Sequence, residues 1–593
     1  VELLYRLRLL LILLLSFSAA GIAQTSILPL REVRAGMKGT GYTVFSGTQV
    51  EPFSVEVLGV LDNAGPKQSI ILARLSGGPL AHTGVLQGMS GSPVYFDGKL
   101  AGAVALAFSL SKDPIAGIRP IEEMFRSNPL PRQRIADARC LVEFCPPTRG
   151  VGSSRAEAAA QHYRWGEAKL AEVATPVSFS GFTASTLEHF GGQLRALGLE
   201  PRQGMSGGGP SGALPRGTRA DLQPGGMISV QLVSGDMSIG ADGTVTHVEG
   251  NRVYAFGHRF LSAGQVDLPF ASAEVLTLLP NLSTSFKIST ARKLLGTITE
   301  DDSTAVRGEF GRQARLIPVR INVKSNGKET GYQMEMIRDP ALTPFLLQMM
   351  TFSALEATER LIGGLAFRVE QTVAFKSAKP YISNNIFSGE FNTAMIAAQS
   401  GAIPVSYVMQ SGFPALDIDR IDLSIEAFPE KRQLSVEDVI PLRRVVRPGD
   451  IVPLQIVFAS QGERVTRTVS YKVPAGAAAG PLQFTITDGP TANLLELRQQ
   501  VLIPPQTAND VTAILEELRA NDRAYVRVWR AEATYSTQGR DLPSPPPSVA
   551  GLLARSQGGT GFPSYTAKTD ELAVEIDGRM ISGNKTVTVE VKE

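Results

Sequence analysis

Gly88-Met89-Ser90-Gly91-Ser92-Pro93 decides how this chain is read. Two glycines flank Ser90, so the backbone can turn sharply and leave the hydroxyl clear of its neighbours. Ser92 and Pro93 fix the exit. Val94-Tyr95-Phe96-Asp97-Gly98-Lys99-Leu100 then reads as a strand, an Asp-Gly hairpin turn and a second strand. Apolar runs at 70–75 and 100–108 bracket the turn. A rigid turn carrying a bare serine and free N–H groups suits acyl transfer. The N–H groups of Gly88 and Ser90 would stabilise an oxyanion while Ser90 attacks. The same residues also describe a plain Gly/Ser turn of a β protein.

The 593 residues allow three or four domains, and 43% hydrophobic content supports large cores. With a net charge of +2, 19% charged residues and no basic block, nothing points to nucleic acid. The 58 glycines and 38 prolines imply many turns and a mainly β architecture. Arg6 and Arg8, the apolar run 9–17 and Ala20-Gly21-Ile22-Ala23 read as a signal peptide over 1–23, cut after Ala23. The rival is an uncleaved anchor helix, for which the run is short. The mature chain is therefore expected to be exported to the periplasm or cell envelope, touching the membrane only through that peptide. Cys140 and Cys145 are spaced to pair across the loop 141–144. No second Cys or His cluster accompanies them, so no metal site is expected. No cofactor loop is found either: Gly36-Met37-Lys38-Gly39-Thr40-Gly41 matches neither glycine-rich fingerprint and reads as a turn.

The chain divides into a first β unit over 28–127, a connecting segment with helix and Gly-rich loop over 128–220, and a second β unit over 221–325. A mixed, sandwich-like accessory domain over 326–485 and a C-terminal α+β segment over 486–593 follow. Ser154 and Glu157 have capping-box spacing and start a predicted helix reaching about Ala171. Thr343 and Pro344 start another, apolar on nearly all faces, that stops at Gly363. A second serine turn, Gly204-Met205-Ser206-Gly207-Gly208, lacks the flanking strand and hairpin and reads as linker. Asp417, Asp419 and Asp422 suggest calcium less than the wet side of strands.

A nucleophilic serine needs a base. Of five histidines, His162 and His189 fall in or near the connecting helices and His247 within a strand. His82 precedes the turn and is a candidate for lining a substrate pocket. His258 follows Phe256-Gly257 at a strand end of the second β unit. Two β units meeting at a cleft, one giving serine and the other histidine, make an active site.

Gly88–Pro93 with its hairpin, Ala101-Gly102-Ala103-Val104, residues 115–124, Val55-Glu56-Val57-Leu58-Gly59 and Phe256-Gly257-His258 resemble the SpoIVB-type serine peptidases, family fifty-five of the serine peptidases. Gly296-Thr297-Ile298 and Gly308 also fit. The resemblance covers about 28–127 and 221–325. It implies a chymotrypsin-like peptidase core of two β-barrels, with Ser90 as nucleophile, His258 as general base and Gly88 and Ser90 supplying the oxyanion N–H groups. Met89 stands where trypsin-like enzymes carry the aspartate that receives the new N-terminus on activation, so that route is not expected.

Two departures stand out. Here the serine precedes the histidine, the reverse of the sporulation peptidases. No aspartate precedes the turn; the matching stretch is Leu75-Ser76-Gly77-Gly78. Asp301 is the substitute third member, with Asp302 and Asp267 as rivals. The resulting expectation is an exported serine endopeptidase that cleaves protein or peptide substrates through an acyl-enzyme. Its alternative is an inactive peptidase-fold protein serving as an envelope binding or scaffold module.

Overall fold

The architecture comes from a computed structural model. It describes residues 26–593 except 109–110, 112, 127–161, 166–167, 205–213, 282–283, 359–364, 461, 501–504, 538–539, 544, 556–560, 565 and 577. The signal peptide, the cysteine pair and Ser206 lie outside the described residues. The protein is mainly β, as composition suggests.

Six strands open the fold: β1 (Lys38–Val44), β2 (Val50–Gly65), β3 (Gln68–Ser76), β4 (Pro93–Phe96), β5 (Lys99–Phe108) and β6 (Ile115–Pro120). The pairings run β1–β2–β3–β6–β5–β4 and return to β1, which closes a six-stranded barrel, while β5 runs on past β4. Gly39 and Gly41 lie inside β1, not in a turn as the sequence suggests. A Cβ on Gly39 would sit 2.3 Å from the Tyr95 carbonyl, and one on Gly41 2.1 Å from the Phe53 ring. These glycines are there for close approach of strand and ring.

Beyond the barrel lie β7 (His162–Trp165), β8 (Ala168–Glu172), β9 (Thr175–Ser180), helix α1 (Ala184–Ala196) and β10 (Leu199–Gln203). The sequence predicts helix up to Ala171, but residues 162–165 and 168–172 are strands. β8 pairs with β5, and that tertiary edge overrides the helical preference of the Ala-rich stretch. Thr183 caps α1, accepting from the Thr186 N–H.

Next come β11 (Met227–Gly235), β12 (Ser238–Glu249), β13 (Arg252–Ala255), β14 (Gly264–Leu279), β15 (Phe286–Asp301) and β16 (Val306–Phe310). They pair in the cyclic order β11–β12–β13–β16–β15–β14–β11, within a thirteen-stranded sheet. That sheet continues through β17 (Ile317–Ser325), β18 (Lys328–Met336), β19 (Leu365–Phe375), β20 (Tyr381–Gly389) and β21 (Ile418–Phe428). In β17, Ile317, Val319, Ile321 and Val323 are buried while the residues between are exposed, the two-residue period of a one-sided strand.

Helix α2 (Leu342–Thr358) is buried on every face from Leu342 to Leu355 and packs beside α3 (Thr393–Ser411). Its start is capped by Asp339, whose carboxylate accepts from the N–H groups of Ala341 and Leu342; Thr343 lies inside the helix and donates to the Ile337 carbonyl. Residues 433–591 place a four-stranded and a five-stranded sheet over one apolar core that includes Phe458 and Phe484. Asp417 pairs with Arg338 and Lys376, and Asp422 with Arg420, so these acids serve as wet-face ion pairs. No cluster of metal-ligating side chains occurs among the described residues.

Candidate active site

The serine turn joins the barrel to the strands that carry His258. From the barrel side, the Gly91 N–H donates to the Val104 carbonyl at 2.7 Å and the Val104 N–H to the Ser92 carbonyl at 3.0 Å. From the other side, the Thr244 N–H donates to the Ser90 carbonyl (2.8 Å), Thr244 Oγ1 to the Gly88 carbonyl (2.8 Å) and Thr246 Oγ1 to the Gly91 carbonyl (2.7 Å). The Gln87 carbonyl accepts from the Lys287 N–H at 3.2 Å. β12 and β15 therefore hold the turn by its carbonyls.

Peptide planarity gives this arrangement its chemistry. In a trans peptide the N–H points opposite to the carbonyl of the preceding residue. The Gln87 carbonyl is bound to Lys287, so the Gly88 N–H faces away from β15. The Met89 carbonyl accepts from the Ser92 N–H at 2.9 Å, which turns the Ser90 N–H away from Ser92. Among the described residues, neither the Gly88 nor the Ser90 N–H has a hydrogen-bond acceptor. Ser90 Oγ, fully buried, has no partner either. Gly88 at φ +92° and Gly91 at φ +94° make the bend.

His258 enters the same seam on strained backbone. Phe256 has φ +69°, rare for a bulky residue, and Gly257 follows at φ +69°. A Cβ on Gly257 would stand 3.2 Å from the Val104 carbonyl, and one on Gly91 2.6 Å from the Phe256 nitrogen. The His258 ring is 2% exposed, and its Nδ1 lies 2.6 Å from the Arg259 carbonyl. A carbonyl only accepts, so Nδ1 carries the proton and Nε2 is bare, the tautomer a general base requires. Nε2 is buried without a partner. Burial lowers the His258 pKa to about 4 against the hydrogen bond to the Arg259 carbonyl, which raises it, and the charges of Arg119 and Arg259 add to the lowering.

Ser90 Oγ and His258 Nε2 are thus both buried and unpartnered, without a hydrogen bond to each other. Residues 22–125 match the family model of the SpoIVB peptidase S55. This S55 domain spans the barrel and the serine turn and implies a serine peptidase, hence protein substrates. No curated protein and no solved structure matches the chain.

The remaining candidates lie around the S55 domain as follows. Asp301 is 1% exposed, and its carboxylate accepts from the N–H groups of Phe260 (2.7 Å), Leu261 (2.7 Å) and Ala263 (3.1 Å). It fixes the loop after His258, while His258 Nδ1 is engaged by the Arg259 carbonyl. Burial raises the Asp301 carboxyl to about 6, against the pull of the three N–H groups. Asp302 pairs with Arg307, and Asp267 accepts from the Arg315 N–H at 3.0 Å. His82 is exposed on the short helix Leu80–Thr83. His247 is buried beside the rings of Phe125 and Tyr254. Asp301→Asn is expected to cost about 2–4 kcal/mol, because an amide N–H would face the loop N–H groups. Urea denaturation measures this.

The sequence gives no sign of Lys287. Its Nζ is buried against Thr43 Oγ1 (2.7 Å) and Met227 Sδ (3.4 Å), and its methylenes lie 3.3–3.5 Å from where a Gly88 Cβ would be. Burial lowers its pKa to about 7. The unfolded lysine titrates near 10.4. Between those values the unfolded chain binds more protons, so stability rises with pH. Lys287→Met is expected to stabilise the protein at pH 7 by on the order of 2–4 kcal/mol and by little at pH 10. Urea midpoints of both proteins at the two pH values test it.

Proposed function

We propose that the protein is an exported serine endopeptidase whose two cyclic sets of strands are the halves of a chymotrypsin-like core. The first gives the nucleophile Ser90 and the second the general base His258. The observation that carries this reading is the pair of N–H groups without an acceptor among the described residues, Gly88 and Ser90, in the same turn as an unpartnered Ser90 hydroxyl. Ser90 Oγ attacks a peptide carbonyl while its proton passes to His258 Nε2. The two N–H groups hold the oxyanion. The imidazolium returns the proton to the amine as the C–N bond breaks, and water then hydrolyses the acyl-serine by the same route. Asp301 acts as a positioning residue by holding the loop 260–263 behind the imidazole. The reversed order of serine and histidine does not weaken the reading, since the site is a matter of geometry. The segment 6–23 supports export to the periplasm or cell envelope.

The test is covalent labelling by a fluorophosphonate. Wild type is expected to incorporate the probe at Ser90, located by peptide mass spectrometry, and Ser90→Ala to incorporate none. Equal labelling of both proteins, or none of either in any variant, defeats the reading and leaves the scaffold alternative.

A further inference from the structure

The serine turn is hydrogen-bonded to the edge of β5 through Val104, and along that edge something already sits in the next place. β4 pairs with this edge as far as Ala103, opposite Pro93. The Val104 carbonyl then accepts from Gly91 of the turn, and the Ala105 carbonyl from the Val173 N–H at 2.9 Å. Glu172 follows opposite Leu106, Ala171 opposite Ala107 and Leu170 opposite Phe108, antiparallel. The pairing of β5 with β6 shifts register between Val104 and Leu106, a bulge at Ala105. Such a bulge re-aims a carbonyl, here outward to Val173.

Val173 is thus the immediate neighbour of the serine turn on one strand edge. Glu172 reaches over the other half of the site, pairing with the Arg259 guanidinium at 3.1 Å, one residue after His258. Leu170 is fully buried against Ile70, Ala105 and Leu106. Past Val173 and Ala174 the chain crosses the seam and joins β12 as β9. A cavity of about 150 Å³ on this path is lined by Gln87, Ala107, Glu172, Val173 and Ala174, among others. Ser90 and His258 themselves are 0% and 2% exposed.

We propose that the β5 edge from Ala105 to Phe108 is the groove in which this site takes an extended peptide, and that the protein fills it in cis with residues 168–173. An incoming substrate adds to β5 as an antiparallel strand, its backbone supplying the affinity. The residue it places where Val173 now stands is the one next to Ser90, so a small aliphatic side chain fits there. The resident strand is a competitor held at high effective concentration by its own chain. This inference rests on the peptidase reading for the role of Ser90, but occupancy of the groove can be tested without it.

The experiment uses the full chain as wild type, Ala171→Pro and Glu172→Ala. Proline removes an N–H from the paired strand; the second variant removes the tie to Arg259. The probe is a fluorescein-labelled peptide of residues 168–175, followed by anisotropy, with fluorophosphonate labelling rates in parallel and thermal melts to show that each variant is folded. The expected result is peptide affinity at least tenfold tighter in the variants than in wild type, with labelling at least tenfold faster. Peptide binding confined to the variants with no labelling anywhere supports the groove and removes the peptidase reading. Equal peptide affinity in folded wild type and both variants, or no binding to any of them, overturns the proposal whatever the labelling shows.

Discussion

Ser90→Ala and His258→Gln are each expected to lower kcat for hydrolysis of quenched-fluorescent casein by about 10³–10⁶-fold, and the double variant to be no slower than the worse single one. In the proposed mechanism Ser90 Oγ attacks and His258 Nε2 takes its proton; both atoms are buried and unpartnered. A hydroxyl without its base and a base without its hydroxyl are equally idle, so the losses do not multiply. What survives comes from the fixed N–H groups of Gly88 and Ser90, which neither change touches. The measurement is best made in the Ala171→Pro background, where the resident strand does not mask the rate. Multiplying losses would show that the two residues act on separate steps.

Gly91→Ala is expected to be among the most damaging added methyls at the described glycines, costing more than about 4 kcal/mol. The new Cβ would lie 2.0 Å from the Thr244 carbonyl oxygen of β12 and 2.6 Å from the nitrogen of Phe256, just after β13, both backbone atoms. No side chain can swing away. Relief requires moving the turn off β12, which breaks the bonds of Thr244 to the Ser90 carbonyl and of Thr246 to the Gly91 carbonyl. The φ of +94° adds its own strain. Gly98 is the control: its φ is +74°, but nothing lies within 4 Å of its Cβ position, so Gly98→Ala should cost only about 1 kcal/mol. Urea unfolding of the two variants separates collision from conformation.

The serine hairpin was legible because its signals are local. Asp97 and Gly98 both have positive φ, as their turn demands, and apolar alternation marks β17 and β21 directly. What could not be read is what distant chain decides. Residues 168–172 have a helix-forming composition and become a strand because β5 offers an edge. Lys287 looks like a solvent-facing strand residue until β1, β11 and the serine turn close over it. Asp301 stands out as an acid after the histidine, but only the folded loop reveals that its oxygens are taken up by Phe260, Leu261 and Ala263. Gly39 and Gly41 mimic a loop motif and in fact admit Tyr95 and Phe53.

The carbonyls of Gln87, Gly88, Ser90 and Gly91 take their hydrogen-bond donors from Lys287, Thr244 and Thr246, more than 150 residues further along the chain. A ribosome that has made only the first barrel has therefore made the serine turn without the donors that fix it. The geometry around Ser90 is therefore completed only once β12 and β15 have been made.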